Sequence, residues 1–222
     1  MLEVYGDPVE LLQIQIKNFY GIITPCEQEV ICRIYPQVLD KLDKSFLHIN
    51  NKYYHRDGHN FFSPFHLGQY TMYLYTYAQE IYKEDNVCNK DLCDKIYGVS
   101  KCFSSADLYY EVMLPTVWFA DHPQGSVIGR AQYGDFFFFS QGCTVGNNKG
   151  IYPVIGNHVC MFSNSEILGK CTIGDHVIMS ANSYVIDRDI PSYSIVKGQA
   201  ENLVIREITP DKFKELCSFF IE

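Results

Sequence analysis

From residue 155 onward the large apolar residues fall at every sixth position: Ile155, Met161, Ile167, Ile173, Met179 and Val185. Compact residues follow four positions later, at Val159, Ser165, Cys171, Val177 and Ser183, until Asp189 breaks the series. This period suits neither the 3.6-residue helix nor the two-residue alternation of a strand. It suits a prism with three flat faces, one hexapeptide per face and roughly eighteen residues per coil. The large apolar residue of each repeat then points inward, and the compact one lies near a corner. Upstream, Ile128-Gly129, Gly134 to Gly142 and Thr144-Val145-Gly146 read as further coils whose register the sequence leaves open. Residues 146–153 are out of phase and read as a protruding loop. The coils are expected to finish after Pro191. Lys197-Gly198-Gln199 then leads to a last strand at Leu203-Val204-Ile205, and Thr209-Pro210-Asp211 starts a short terminal helix.

The first half has a different pattern. Asp7-Pro8-Val9-Glu10 is a helix start, with an Asp cap, Pro at the first helical position and Glu three residues after the cap. Leu11, Leu12, Ile14, Ile16 and Phe19 follow, and Gly21 ends the helix. Thr24-Pro25-Cys26-Glu27 repeats the signal ahead of Val30, Ile31, Ile34, Tyr35, Val38, Leu39, Leu42 and Phe46, with a kink expected at Pro36. Ser63-Pro64 is expected to start a third helix, whose Tyr70, Tyr73, Leu74, Tyr77, Ala78 and Ile81 form one stripe suited to helix packing. A shorter helix runs through Leu92, Ile96 and Val99 to about Phe103. Residues 50–60 read as a polar, turn-rich loop. Its His55-Arg56-Asp57-Gly58-His59 reads as surface, because Gly58 interrupts any helix that would align the histidines on a metal. Asp57 or His59 could still reach an active site built elsewhere. The expected fold is therefore α+β: an α-helical domain over residues 1–104, a prism over 105–206 and a helical tail over 207–222.

Composition narrows the class. The 222 residues carry 18 Lys plus Arg against 26 Asp plus Glu, a net charge of −8. That balance argues against a general nucleic-acid binder and against a polybasic membrane-surface protein. No apolar run approaches the roughly 20 residues that span a bilayer, and the first residues lack the basic and apolar regions of a signal peptide. A cytoplasmic protein is the expectation. The nine cysteines are odd in number and form no Cys-x-x-Cys pair, so reduced, mostly buried thiols are expected rather than disulfides or a zinc site. The four consecutive aromatics Phe136 to Phe139 would alternate in and out of a prism, and the outward ones would need cover, most simply an oligomer interface.

Three motifs carry a resemblance. Asp121-His122-x-x-Gly125-x-Val127-x-Gly129 is the first. Asp107, fifteen residues before His122, is the second. Gly142 to Gly146, followed by the out-of-phase loop and Tyr152-Pro153-x-Ile155-Gly156, is the third. With helices ahead of a hexapeptide prism, the chain resembles the serine O-acetyltransferases, members of the left-handed β-helix acyltransferases. The left hand is implied by the resemblance alone. So is a catalytic dyad in which His122 is the general base and Asp107 orients it. Histidine is suited to taking a hydroxyl proton as that hydroxyl attacks a thioester, and a carboxylate on its other nitrogen fixes the tautomer.

The resemblance further implies that acetyl-CoA, the co-substrate, lies in a groove between neighbouring prisms. Gly146, Ser163 and Ala181 would pass close to its pantetheine arm, and Lys197 would lie near the nucleotide end, with Lys170, Arg188 or Arg206 as other sources of a cation. It implies a homotrimer, with the helical halves able to join two trimers, and no metal. Asp121 would contact the acceptor's amino group. A backbone N–H between Cys143 and Gly146 would stabilise the oxyanion, and Cys143 itself lacks the basic neighbour a nucleophile needs. The departure lies at Ile151-Tyr152, where the family has Arg-His to hold a serine carboxylate. Ile151 cannot pair with a carboxylate, so Tyr152 lines a site whose acceptor is L-serine held by another cation, or a sugar or amino sugar acetylated on oxygen or nitrogen. A non-catalytic prism acting as a scaffold is the reading from another class.

Overall fold

The computed structural model describes residues 2–85 and 89–221; Cys88, one of the nine cysteines, lies outside the described residues. Helix α1 (Pro8–Tyr20) begins where Asp7 accepts hydrogen bonds from the Val9 and Glu10 amides and ends at Gly21, in the left-handed region at φ 76°. Helix α2 (Pro25–Phe46) starts with a full capping box: Thr24 Oγ1 accepts from the Glu27 amide, and the Glu27 carboxylate accepts from the Thr24 amide. Pro36 lies inside α2 without ending it.

Residues 50–60 are more ordered than their polarity suggests. Strands β1 (Glu3–Val4), β2 (His55–Arg56) and β3 (His59–Phe62) form a small sheet, with β2 and β3 joined by a tight hairpin at Asp57-Gly58. Both turn residues have positive φ, at 49° and 81°, as the Asp-Gly hairpin turn requires. Asp57 and His59 are exposed there.

Helix α3 (Leu67–Glu84) starts later than the Ser63-Pro64 signal, because His66 caps it: its Nδ1 accepts from the Gln69 amide at 3.3 Å. The tyrosine stripe is buried, and so are Met72, Tyr75 and Thr76 off the stripe. Helix α3 packs against α2, against α4 (Lys90–Ser104) and against the first strand of the prism. A helix covered on several sides needs no polar face, which is why a single stripe described only part of its buried surface.

The prism follows. Its first coil is β4 (Trp118–Ala120), β5 (Val127–Ile128) and β6 (Gln132–Tyr133); the second is β7 (Phe137–Phe139), β8 (Thr144–Gly146) and β9 (Val154–Ile155). The third is β10 (Cys160–Met161), β11 (Glu166–Leu168) and β12 (Thr172–Ile173). Strands β13 (Ile178–Met179) and β14 (Tyr184–Ile186) belong to the fourth, which Ile190 completes by bridging Ile173. Each coil pairs in parallel with the next, giving three faces. The register stacks Ala120, Phe139, Met161 and Met179 on one face, Ile128, Val145, Ile167 and Val185 on the second, and Tyr133, Ile155 and Ile173 on the third. The upstream register is therefore the same six-residue period through Tyr133, Phe139 and Val145, broken by two insertions and by a five-residue step from Ile128 to Tyr133.

The coils do not finish at Pro191. Strand β15 (Ser194–Lys197) adds a fifth rung, with Val196 beside Met179, and β16 (Val204–Glu207) turns back antiparallel to it. Helix α5 (Pro210–Leu216) is capped by Thr209. The segment after it runs back to the helical half: the Asn50 amide donates to Phe219 O at 2.8 Å and the Ile221 amide to His48 O at 2.7 Å.

That return corrects the expectation for Phe136 to Phe139. Phe137, Phe138 and Phe139 are all buried within the chain. The ring of Phe219 stacks on Phe138 at 3.8 Å, and Phe136 meets Phe220 edge-on and stacks on His158 at 4.3 Å. The cover is the chain's own C-terminal segment, so this run no longer argues for a subunit interface. Below Phe136 the stack continues through His158, His176 and Tyr193, one ring per coil, at 4.6 and 4.5 Å. Cys93, Cys143, Cys160, Cys171 and Cys217 are buried free thiols, and Cys26, Cys32 and Cys102 are exposed ones.

Candidate active site

The corner between the first and second faces is where the first coil departs from the period. Ala120 stacks on Phe139 and Ile128 on Val145, so eight steps in the first coil match six in the second. The two extra residues fall in Asp121-His122-Pro123. His122 takes a positive φ of 49°, and its side chain is 78% exposed. The insertion thus bulges the imidazole out of the prism rather than into its core.

Helix α3 closes over this bulge. Gly68, in its first turn, lies so close to the end of β4 that a Cβ there would come within 2.6 Å of Ala120 O. The approach leaves a cavity of about 250 Å³ walled by Asn51 and Tyr53, by His66, Leu67 and Gly68, and by Asp121, His122 and Gln124. Asp121 Oδ1 is 3.9 Å from His122 Nε2. The His66 ring lies against Tyr53 and Tyr54, with centroids 5.7 and 5.5 Å away. Burial lowers the His66 pKa and His122 adds to the effect, while the Asp121 carboxylate opposes it. His66, Asn51, Tyr53 and Gln124 carried no signal as site residues in the sequence, because a fold contact rather than a motif brings them to the corner.

Asp107 occupies the rung before β5. Its amide donates to Ser126 O at 2.7 Å, and it bridges Val127, five residues beyond His122. Its carboxylate is held by the Tyr97 hydroxyl and by Lys101 Nζ at 2.9 Å, both on α4. Asp107 and His122 thus lie on adjoining rungs without a hydrogen bond between their side chains. The carboxylate within 4 Å of the imidazole is that of Asp121.

The other expected residues divide between two edges of the prism. Ser163 and Ala181 follow Met161 and Met179 by two residues, and Lys197 follows Val196 by one, so all three lie on the His122 edge. Ser163 Oγ is 3.4 Å from Ser140 Oγ, one coil nearer His122. At the far end Lys197, Arg206 and Lys212 line a cavity of about 540 Å³. From the first coil to the fifth this edge spans about 19 Å, at about 4.8 Å per coil.

Gly146 and Tyr152 lie on the next edge, at the end of the second face. The out-of-phase loop there is a hairpin: Asn148 and Ile151 exchange amide hydrogen bonds of 3.0 Å around Lys149-Gly150, both at positive φ. Ile151 and Tyr152 are exposed. Arg130 lies beside Tyr152, and its guanidinium is paired with Glu111 at 2.7 Å. Lys170 and Arg188 are exposed on this same edge, after β11 and β14. Within the oxyanion segment the Cys143 amide donates to Ser126 Oγ and the Thr144 amide to Ser165 O, so both are already used. Cys143 is buried, and burial raises its thiol pKa, as an inert sulfur requires. Among the described residues no three His, Cys, Asp or Glu side chains converge as a metal ion would need, and no helix is long and apolar enough to cross a membrane.

Stacked six-residue rungs on three faces, with helices ahead of them and a short helix behind, form a β-solenoid of hexapeptide rungs. Solved structures that share it include serine acetyltransferases. That of Neisseria gonorrhoeae superposes with a TM-score of 0.68 at 19% identity, over 95% of this chain and 84% of that one. That of Vibrio cholerae gives 0.68 at 16% identity, over 92% and 80%. A serine acetyltransferase solved in complex with CoA gives 0.65 at 16% identity, over 91% and 86%. At these identities the likeness establishes a common fold. No protein-family model matches the sequence, and no curated protein matches it.

Proposed function

We propose that the chain is an acetyl-CoA-dependent acetyltransferase acting on a hydroxyl of a small acceptor. The supporting observation is the order along one prism edge. An exposed histidine on a bulge comes first, the small residues Ser163 and Ala181 follow, and Lys197 closes the series beside a cavity lined also by Arg206, Glu207 and Lys212, the last paired with Glu215 at 2.7 Å. That order fits a thioester at His122, an extended arm passing small side chains, and phosphates at the cationic end. The edge is open, so its second wall would come from another copy in a homotrimer. Gly146 and Tyr152 of that copy would face His122, Ser163 and Ala181. The known folds are those of serine acetyltransferases, one of them crystallised with CoA and another with serine.

In this reading acetyl-CoA and acceptor are bound together. The acceptor oxygen attacks the thioester carbonyl while its proton passes to His122, the C–S bond breaks, and the proton passes from His122 to the departing thiolate. Asp121 holds the acceptor. Asp107 orients the exposed imidazole once the two side chains turn toward each other, exchanging a contact to α4 for one to His122.

The test is release of free CoA thiol from acetyl-CoA in the presence of L-serine, sugars or amino sugars. Acceptor-dependent release is expected, and His122→Ala should lower it by about 100-fold or more while the fold is retained. Asp107→Asn should lower turnover with little change in the KM for acetyl-CoA. Wild-type protein that releases no thiol with any acceptor would favour a scaffold, and a His122→Ala protein with near-normal turnover would remove His122 from the mechanism.

A further inference from the structure

The cavity at the His122 corner has a feature that the transfer chemistry does not use. Its inner wall is His66. The Gln69 amide donates to Nδ1 of that ring at 3.3 Å, so Nδ1 must present its lone pair. The ring proton is therefore on Nε2, across the ring. Nε2 has no hydrogen-bond partner in the protein among the described residues, and the ring is half-buried against Tyr53, Tyr54 and the first turn of α3. A cap needs only an oxygen or nitrogen acceptor, and Ser, Thr, Asp or Asn supply one at less bulk. A histidine here adds a fixed, uncharged N–H donor beside Asp121 and His122.

The rest of the wall gives the charge of the ligand. Asn51 and Gln124 offer amides, Tyr53 a phenol and a partly exposed ring over which Lys52 Nζ lies at 5.0 Å, and Asp121 a carboxylate. No lysine or arginine lines the cavity among the described residues. Arg130, the cation beside Tyr152 on the other edge, is already paired with Glu111. A ligand carboxylate placed against Asp121 would find no lysine or arginine in the cavity wall itself, Lys52 lying over the Tyr53 ring at 5.0 Å and the exposed Lys149, Lys170 and Arg188 lying on the other edge. A ring bearing several hydroxyls would find donors and acceptors for each, and its C–H face would lie on Tyr53.

We propose that His66 is an acceptor-binding residue whose Nε2–H donates to an acceptor oxygen, and that the acceptor is a sugar or amino sugar without a carboxylate. This rests on the acetyltransferase reading and deepens it.

The experiment uses the full chain and His66→Asn, which keeps a capping oxygen for the Gln69 amide and removes the Nε2 donor together with the ring that lies against Tyr53 and Tyr54. Thiol release is followed with the methyl glycosides of glucose, N-acetylglucosamine and glucosamine, and with L-serine. The expected result is release with a glycoside and not with serine. The variant's KM for that glycoside should rise about 10-fold or more, with the KM for acetyl-CoA within twofold of wild type. Independently, nitrogen-15 NMR of the wild-type protein should show the Nε2–H tautomer at His66. That resonance should move when the glycoside is added and stay in place with L-serine. An unmoved His66 signal, a movement with serine only, or an unchanged acceptor KM in the variant overturns the proposal and leaves acetyl transfer standing. A glycoside-dependent shift without thiol release has the opposite meaning: the sugar site stands and the acetyltransferase reading falls. If His66→Asn fails to fold, the wild-type NMR decides alone.

Discussion

At Gly156 one hydrogen atom decides whether two coils can stack. A Cβ placed there would come within 2.8 Å of the Gly174 carbonyl carbon and 2.9 Å of the Asp175 nitrogen, both backbone atoms of the next coil. Gly134 and Gly174 meet the coils beyond them in the same way. Gly156→Ala should therefore destabilise the protein by about 2 kcal/mol, the scale of an overpacked core, read as a lower urea midpoint. Gly125 makes the contrast: nothing lies within 4 Å of its Cβ position, and only its φ of 72° resists substitution, so Gly125→Ala should cost about 1 kcal/mol.

His66 gives a residue-scale prediction with a sign. Burial, aided by His122 and opposed by Asp121, holds its pKa below the usual histidine value. The unfolded chain then takes up the proton first as pH falls below about 6.5. Stability attributable to His66 is complete above that pH and is lost as pH falls toward the lower folded value. His66→Asn should flatten the decline of the melting temperature as pH falls below about 6.5. The site itself was half legible at this scale. His122, Asp121 and Asp107 stand out by motif and spacing. The Tyr97–Asp107–Lys101 contact and the His66 wall depend on how α4 and α3 land on the prism, which no local pattern encodes.

Among elements, α2 owes its sharp start to the reciprocal Thr24–Glu27 bonds, to which Lys95 adds an ion pair with Glu27 at 2.6 Å. Thr24→Ala should cost about 1 kcal/mol, seen as faster amide exchange in the first turn of α2. The prism strands follow a different logic. Met161 is fully buried between Phe139 and Met179 in register, and Met161→Ala should cost about 2–5 kcal/mol through the cavity it opens. The helix starts and the six-residue period could be read directly, because caps and inward residues are dictated locally. The upstream register was hidden by two insertions, the extra pair at His122 and the hairpin that delays Val154, and by the five-residue step from Ile128 to Tyr133. The Asp57-Gly58 turn was a readable hairpin signal inside a segment whose polarity suggested a loop.

At the scale of the molecule, the segment after α5 ties the two halves together. Phe219 stacks on Phe138 of the prism while its carbonyl holds the Asn50 amide of the helical half. Asn51 and Tyr53, the next residues along, wall the candidate site. Phe219→Ala should lower stability by about 2 kcal/mol and speed amide exchange at Asn50. If Asn50 exchange were unchanged, the strap would not be what fixes that loop. The aromatic run from Phe136 shows why this was not legible. Its cover comes from residues far along the chain, and periodicity reports which side chains need burial, not what buries them.

That strap also sets an order on the way the molecule is made. Asn50 Nδ2 reaches Ser218 O across 168 positions of sequence. During synthesis, at about 5–20 residues per second, the helices and the early coils emerge and can fold while the edge at residues 48–50 still lacks its partner. The loop beside the site acquires its final support only once residues 218–221 have left the ribosome. A nascent chain paused before residue 218 should therefore carry a folded prism and an unfinished pocket, so binding competence should follow the folding of the prism.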